Sequence, residues 1–265
     1  MDTRAIGILD SGVGGLTALK AVQMLMPPEN IVYFGDTLNS PYGEKSSEEI
    51  ISCVNFGAKF LESKGAKVIL IACGTASSYI DEIDCNAIKV GIIDTSCKKA
   101  IEVSSNMKIG ILATSATINS GAYKKCILDL CPGCSVYEKA CPKLASIIEN
   151  GHIGGSDKIL KSTLSEYLKC IDKSGIDTLI LGCTHYPIIE GNIRSVLKNK
   201  NIKLINSGFE AANTLKTFLE KRDMCTDKGC VGNVRYFVSG EKSKFCDVAE
   251  AFLGRSVKNL VRRCD

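Results

Sequence analysis

Residues 68–75 read Val68-Ile69-Leu70-Ile71-Ala72-Cys73-Gly74-Thr75, and 110 positions on, residues 178–185 read Thr178-Leu179-Ile180-Leu181-Gly182-Cys183-Thr184-His185. Each begins as an apolar run with no alternation of polar residues, the mark of a strand covered on both faces. Each ends in a cysteine followed by small polar residues. A second echo precedes these: Ile6-Gly7-Ile8-Leu9 returns 103 positions on as Ile109-Gly110-Ile111-Leu112. Both copies run into a Gly- or Ser-containing turn and then a helix-like stretch. Chance likeness between apolar strands is the competing explanation, and the cysteine shared at the end of each second strand argues against it. Two similar offsets predict an α/β fold of two related halves.

Working outward, apolar runs at 5–9, 31–34, 68–72, 90–93, 109–112, 179–181, 204–205 and 236–238 are expected strands. Helices fill the gaps, and the alternating order argues an α/β architecture. Ser46 followed by Glu49 predicts a capping box. Pro27-Pro28 ends the first helix. Leu160, Leu164, Tyr167, Leu168 and Ile171 share one face of a helix expected over 156–173, a stripe best read as core.

With 265 residues and a formal net charge of +4, the chain shows none of the concentrated basic character of a nucleic-acid binder. Arg262-Arg263 is too short a basic end to change that. No apolar run is long enough to span a bilayer, and the first residues lack the pattern of a signal peptide. The expectation is a soluble cytoplasmic protein with no nucleic-acid or membrane partner. Fourteen cysteines are many. In a cytosolic chain they read as buried small residues, metal ligands or nucleophiles. Cys131-Pro132-Gly133-Cys134 has the spacing of a redox or zinc half-site but lacks a matching pair. Cys225 and Cys230 are five apart with no histidine nearby, so free thiols on a loop are expected and no metal.

Active groups in α/β sheets gather beyond the carboxyl ends of strands. Four turns stand there. Asp10-Ser11-Gly12-Val13-Gly14-Gly15 has glycines for a tight turn and for close approach of a ligand, and the helix beyond favours an anion. Its spacing is neither that of a dinucleotide loop nor of a P-loop. Gly35-Asp36-Thr37 through Ser40-Pro41-Tyr42-Gly43 is a second turn, readable simply as a loop. The cysteine turns are the third and fourth. A thiol at a strand end and helix start has its thiolate favoured. Two thiols on equivalent turns of two halves would face each other across a cleft. Inverting a stereocentre needs a base on one face and an acid on the other, and a thiolate–thiol pair supplies both, titrating as a unit.

Together these residues resemble the glutamate racemase family. The motifs are Asp10 to Leu16, Gly35-Asp36-Thr37, Pro41 to Ser46, Ala72-Cys73, Thr75-Ala76-Ser77 and Leu181 to Pro187, with weaker matches at Thr117 to Tyr123, Ala140-Cys141-Pro142, Glu149-Asn150-Gly151 and Ser239-Gly240. The resemblance spans essentially the whole chain. It implies two similar domains, each a mainly parallel sheet flanked by helices, related by a pseudo-twofold axis with the site between them. The first would comprise residues 1–96 plus 208–265 and the second residues 97–207. It implies interconversion of L- and D-glutamate for peptidoglycan synthesis, no cofactor, a small amino-acid substrate as the partner, and leaves a homodimer open. By position, Cys73 would act on the D-substrate and Cys183 on the L-substrate, with Asp10 and His185 assisting the thiols. Ser11, Pro41, Tyr42, Gly43, Gly74, Thr75 and Thr184 would border the substrate, with Thr117 and Glu149 as auxiliary residues.

Two departures matter. The family carries Asn where this chain has Gly74, and losing that amide's charge-assisted hydrogen bond costs about 1.5–3 kcal/mol, roughly ten- to a hundredfold in affinity or rate. A water could fill the gap. The alternatives it opens are a racemase for another amino acid such as aspartate, or a weakly active binding protein descended from a racemase. Reintroducing Asn at position 74 is the expected discriminator. The second departure is Asn206, where the family commonly has Asp.

Overall fold

The computed structural model describes residues 2–226, 229 and 231–264. Its strands are β1 (Ile6–Asp10), β2 (Ile31–Gly35), β3 (Val68–Ile71), β4 (Ile88–Gly91), β5 (Lys108–Ala113), β6 (Ser135–Ala140), β7 (Thr178–Leu181), β8 (Lys203–Asn206), β9 (Val234–Val238) and β10 (Val261–Arg263). They form two sheets, ordered β10-β9-β2-β1-β3-β4 and β6-β5-β7-β8. Every pairing is parallel.

The repeat seen in the sequence is a repeat of topology. The order β2-β1-β3-β4 matches β6-β5-β7-β8, with the Ile6 and Ile109 runs on equivalent strands and the two cysteines just past equivalent strands. Leu9 aligns with Ile71 in one sheet as Leu112 aligns with Leu181 in the other. Only the first sheet is extended, by β9 and β10 beyond β2.

The unbroken apolar runs are explained by helices on both faces. Ile6 and Ile8 of β1 pack with Leu16 and Leu19 of the helix Leu16–Leu25. On the other face, Leu9, Phe34 and Ile71 pack with Ile50, Val54 and Leu61 of the helix Ser47–Ser63. Each such side chain contributes about 1.5–3 kcal/mol on burial, so a polar residue at any of these positions would be costly. β1, β2, β3 and β7 are buried along their whole length.

Local signals set the helix ends. Ser46 Oγ accepts from Glu49 N at 3.3 Å and Glu49 Oε2 accepts from Ser46 N at 2.9 Å, completing the capping box. The expected helix over 156–173 is observed as Lys158–Ile171, begun by Asp157, whose carboxylate accepts from Leu160 N at 2.9 Å. All five residues of its stripe are buried.

The strand expected at 90–93 is instead β4, Ile88–Gly91, and Ile92 already opens the helix Ile92–Val103. An apolar run continues through both elements, so hydrophobicity alone does not mark the boundary. β6 and β10 escaped the sequence reading. Both are sheet-edge strands, partly exposed and mixed in polarity. Cys131 and Cys134 lie on a turn in which Cys134 N donates to Cys131 O at 3.1 Å. Cys225 is half-buried, and Cys230 lies outside the described residues. Among the described residues no helix is long and apolar enough to cross a membrane.

Candidate active site

The carboxyl ends of β1 and β3 face those of β5 and β7 across a cavity of about 440 Å³, within the range of small-molecule sites. Asp10, at the end of β1, is wholly buried. Its Oδ2 accepts from Gly12 N at 2.9 Å, and its Oδ1 accepts from Thr184 Oγ1 at 3.3 Å, a contact from the opposite half. Tyr33 fixes the same turn by donating to Gly12 O at 2.7 Å. Burial raises the Asp10 carboxyl, against the pull of His185 and of the Gly15 and Gly12 amides. Gly14 is required by the approach of the halves, since a Cβ there would stand 2.4 Å from Thr184 Oγ1 and 2.6 Å from the His185 ring.

Cys73 ends the β3 turn and begins the short helix Gly74–Ser77. Burial pushes its thiol up to about 12, helped by the charge of Asp10, while the Ala76 amide and the Ser11 side chain pull the other way. At neutral pH it is a thiol.

Cys183 ends the β7 turn. Its sulfur lies 3.5 Å from His185 Nδ1, and His185 Nε2 lies 2.8 Å from Glu149 Oε1. Burial alone would lower the imidazole. The hydrogen bonds to Cys183 and Glu149 outweigh it, so His185 sits well above its ordinary value. An imidazolium in this line offers a counter-charge to a thiolate on one side and a carboxylate on the other. Glu149 ends the helix Leu144–Glu149, and its side chain is 37% exposed, so this relay opens to solvent.

A triangle of hydroxyls also ties the halves together. Thr75 Oγ1 lies 2.9 Å from Thr114 Oγ1 and 3.1 Å from Thr117 Oγ1, and Thr114 and Thr117 are 2.9 Å apart. The third wall is the Pro41–Gly43 segment. Tyr42 donates to Asp36 Oδ2 at 2.7 Å, and the buried Asp36 also accepts from Asn39 and Ser239.

Of the residues singled out in the sequence, Ser11, Pro41, Tyr42, Gly43, Cys73, Gly74, Thr75, Glu149, Cys183, Thr184 and His185 line the cavity. Asp10 and Thr117 stand behind that lining, in contact with Thr184 and Thr75. Sequence reasoning missed Thr114, although it follows β5 as Ser11 follows β1, a signal the repeat contained. It also missed Lys244 and Phe245 of the helix Lys242–Leu253, which close one side. No motif marks them, because only the return of the chain beside the first sheet brings them there. Asn206 has a plain role: it caps the helix Ser207–Lys221 by accepting from Phe209 N at 3.1 Å, as the oxygen of an Asp would.

This arrangement places two sulfurs on opposing turns around one cavity, Cys183 beside the His185 imidazole and Cys73 a thiol. The family model for Asp/Glu/hydantoin racemases matches residues 19–215. Glutamate racemase 1 of Caldanaerobacter subterraneus subsp. tengcongensis is 39% identical over 259 residues, covering 97% of this chain and 95% of that protein. Among solved structures, a glutamate racemase isoform of Bacillus anthracis aligns with a TM-score of 0.93 at 34% identity, over 100% of this chain and 98% of the other. The glutamate racemase of Francisella tularensis, solved with D-glutamate, aligns with a TM-score of 0.90 at 34% identity over the same shares.

Proposed function

This chain belongs to the Asp/Glu/hydantoin racemase family, and from that premise we propose that it interconverts L- and D-glutamate by two-base proton transfer without a cofactor, supplying D-glutamate for peptidoglycan. The observation that carries the reading is that Cys73 and Cys183 line one cavity from equivalent turns of opposing sheets.

In the L-to-D direction the Cys183 thiolate takes the α-proton. The C–H bond becomes an S–H bond, and the electron pair stays on carbon. The Cys73 thiol delivers its proton to the other face and is left as thiolate. The next turnover runs in reverse or awaits proton exchange, so the two cysteines act as a coupled pair. His185, backed by Glu149, balances charge at Cys183. Asp10 positions the Ser11 turn and Thr184. Ser11, Thr75, Thr184 and the Tyr42-Gly43 segment hold the substrate's polar groups.

In heavy water with no added cofactor, either enantiomer of glutamate should gain deuterium at the α-carbon and lose optical activity. Retention of protium by folded protein after long incubation overturns the proposal. Exchange in aspartate but not in glutamate would keep the reaction and replace the substrate.

A further inference from the structure

The position that departs from the family is also the point where the two cysteine turns touch. A Cβ built on Gly74 would lie 2.3 Å from Gly182 O and 3.5 Å from Gly182 C. Real Cβ atoms do not approach a carbonyl oxygen so closely, and this one is backbone that cannot rotate aside. Gly182 is itself held from behind. Its N–H donates to Leu112 O at 2.8 Å. A Cβ on Gly182 itself would meet Leu112 O at 2.9 Å and the Tyr123 ring at 3.1 Å, so the turn is backed by β5 and by a fully buried tyrosine. Any side chain at position 74 therefore forces one of the two cysteine turns to shift.

Gly74 follows Cys73 and Gly182 precedes Cys183, so the contact joins the immediate chain neighbours of the residues that carry the sulfurs. We propose that Gly74 is a positioning residue whose missing side chain sets the separation of the two thiols. This rests on the two-base reading. Proton delivery by the second thiol falls steeply once the reacting atoms leave near-attack distance. In this chain an amide at position 74 would open the cleft rather than repair it. The Thr75–Thr114 hydroxyl pair, closed at 2.9 Å, bridges the halves beside the glycine contact. Of the two outcomes that reintroducing Asn leaves open, this geometry favours the one without a gain in turnover.

The test compares Gly74→Ala, which adds only the Cβ, with Gly74→Asn, which adds the amide as well, in the full chain. Circular dichroism and melting confirm folding. In both variants kcat for glutamate should fall about ten- to a hundredfold with KM changed far less, and Gly74→Asn should be no better than Gly74→Ala. In heavy water, deuterium exchange without inversion should rise relative to inversion, because Cys183 still removes the L-proton while Cys73 no longer reaches the opposite face. A purely structural defect would lower both together. Racemisation by Gly74→Asn as fast as wild type, with that ratio unchanged, overturns the proposal. So does a crystal structure of the wild type with D-glutamate in which the gap widens enough to seat a Cβ at 3.4 Å or more, the ordinary contact distance. That measurement stands even where neither variant folds. A wild type that exchanges nothing overturns the racemase reading itself, and this inference with it.

Discussion

The Cys73 and Cys183 turns occupy the same place in two sheets of matching order, yet their surroundings differ. Around Cys73 stand Asp10 and Ser11, and burial beside a carboxyl keeps the thiol protonated far above neutrality. Around Cys183 stand His185 at 3.5 Å and, through it, Glu149. A repeated fold thus supplies symmetric geometry, and unlike neighbours supply the asymmetric charge that a one-proton difference between two bases requires. The enantiomers have equal free energy, so kcat/KM must be the same from either side. The asymmetry can appear only in how it divides between kcat and KM.

The harshest test removes each thiol in turn. Cys73→Ser and Cys183→Ser should each cut racemisation by about a thousandfold or more, measured by circular dichroism of glutamate. The residual chemistry should differ. Cys73→Ser keeps the Cys183–His185 pair and should still exchange the α-proton of L-glutamate with solvent, retaining configuration. Cys183→Ser leaves a thiol with no cation beside it and should exchange D-glutamate more slowly. Equal residual rates would break the comparison.

A milder change sharpens it. His185→Asn should lower kcat/KM about ten- to a hundredfold. In the wild type the imidazolium is held below its raised value and lost as pH climbs through it, so activity from either enantiomer falls on the alkaline side. Glu149→Gln keeps an acceptor but removes the carboxylate charge that helps raise it, and that alkaline limb should move to lower pH. A limb that stays in place would detach Glu149 from the relay. The smallest effect is expected at the join between the halves. Thr114→Val keeps the shape and removes one hydroxyl, worth about 0.5–1.5 kcal/mol, which also caps the helix Ser115–Asn119, so KM should rise roughly two- to tenfold with the melting temperature lowered by about 2–4 °C.

Much of the site was legible because its residues belong to short motifs at strand ends. The Gly-rich turn, Tyr42-Gly43 and both cysteine turns are contiguous in sequence, and parallel-sheet topology delivers them to one edge. Thr114 was overlooked because it stands alone after β5, with no glycine or cysteine to announce it. Lys244 and Phe245 were illegible because their role depends on where the last helix packs. The edge strands β6 and β10 failed for another reason. A strand with one open side need not be apolar, and periodicity then has nothing to register.

By itself the chain determined the parallel α/β class, the duplication and the pair of candidate bases, because burial on both faces and strand-end chemistry leave their mark residue by residue. Only the tertiary structure decided that Glu149 backs His185, where Lys244 stands, and what glycine at position 74 means. Those are matters of distance between segments remote in sequence. The 2.3 Å from a hypothetical Cβ on Gly74 to Gly182 O is fixed by how two sheets are pressed together, and no local pattern encodes it.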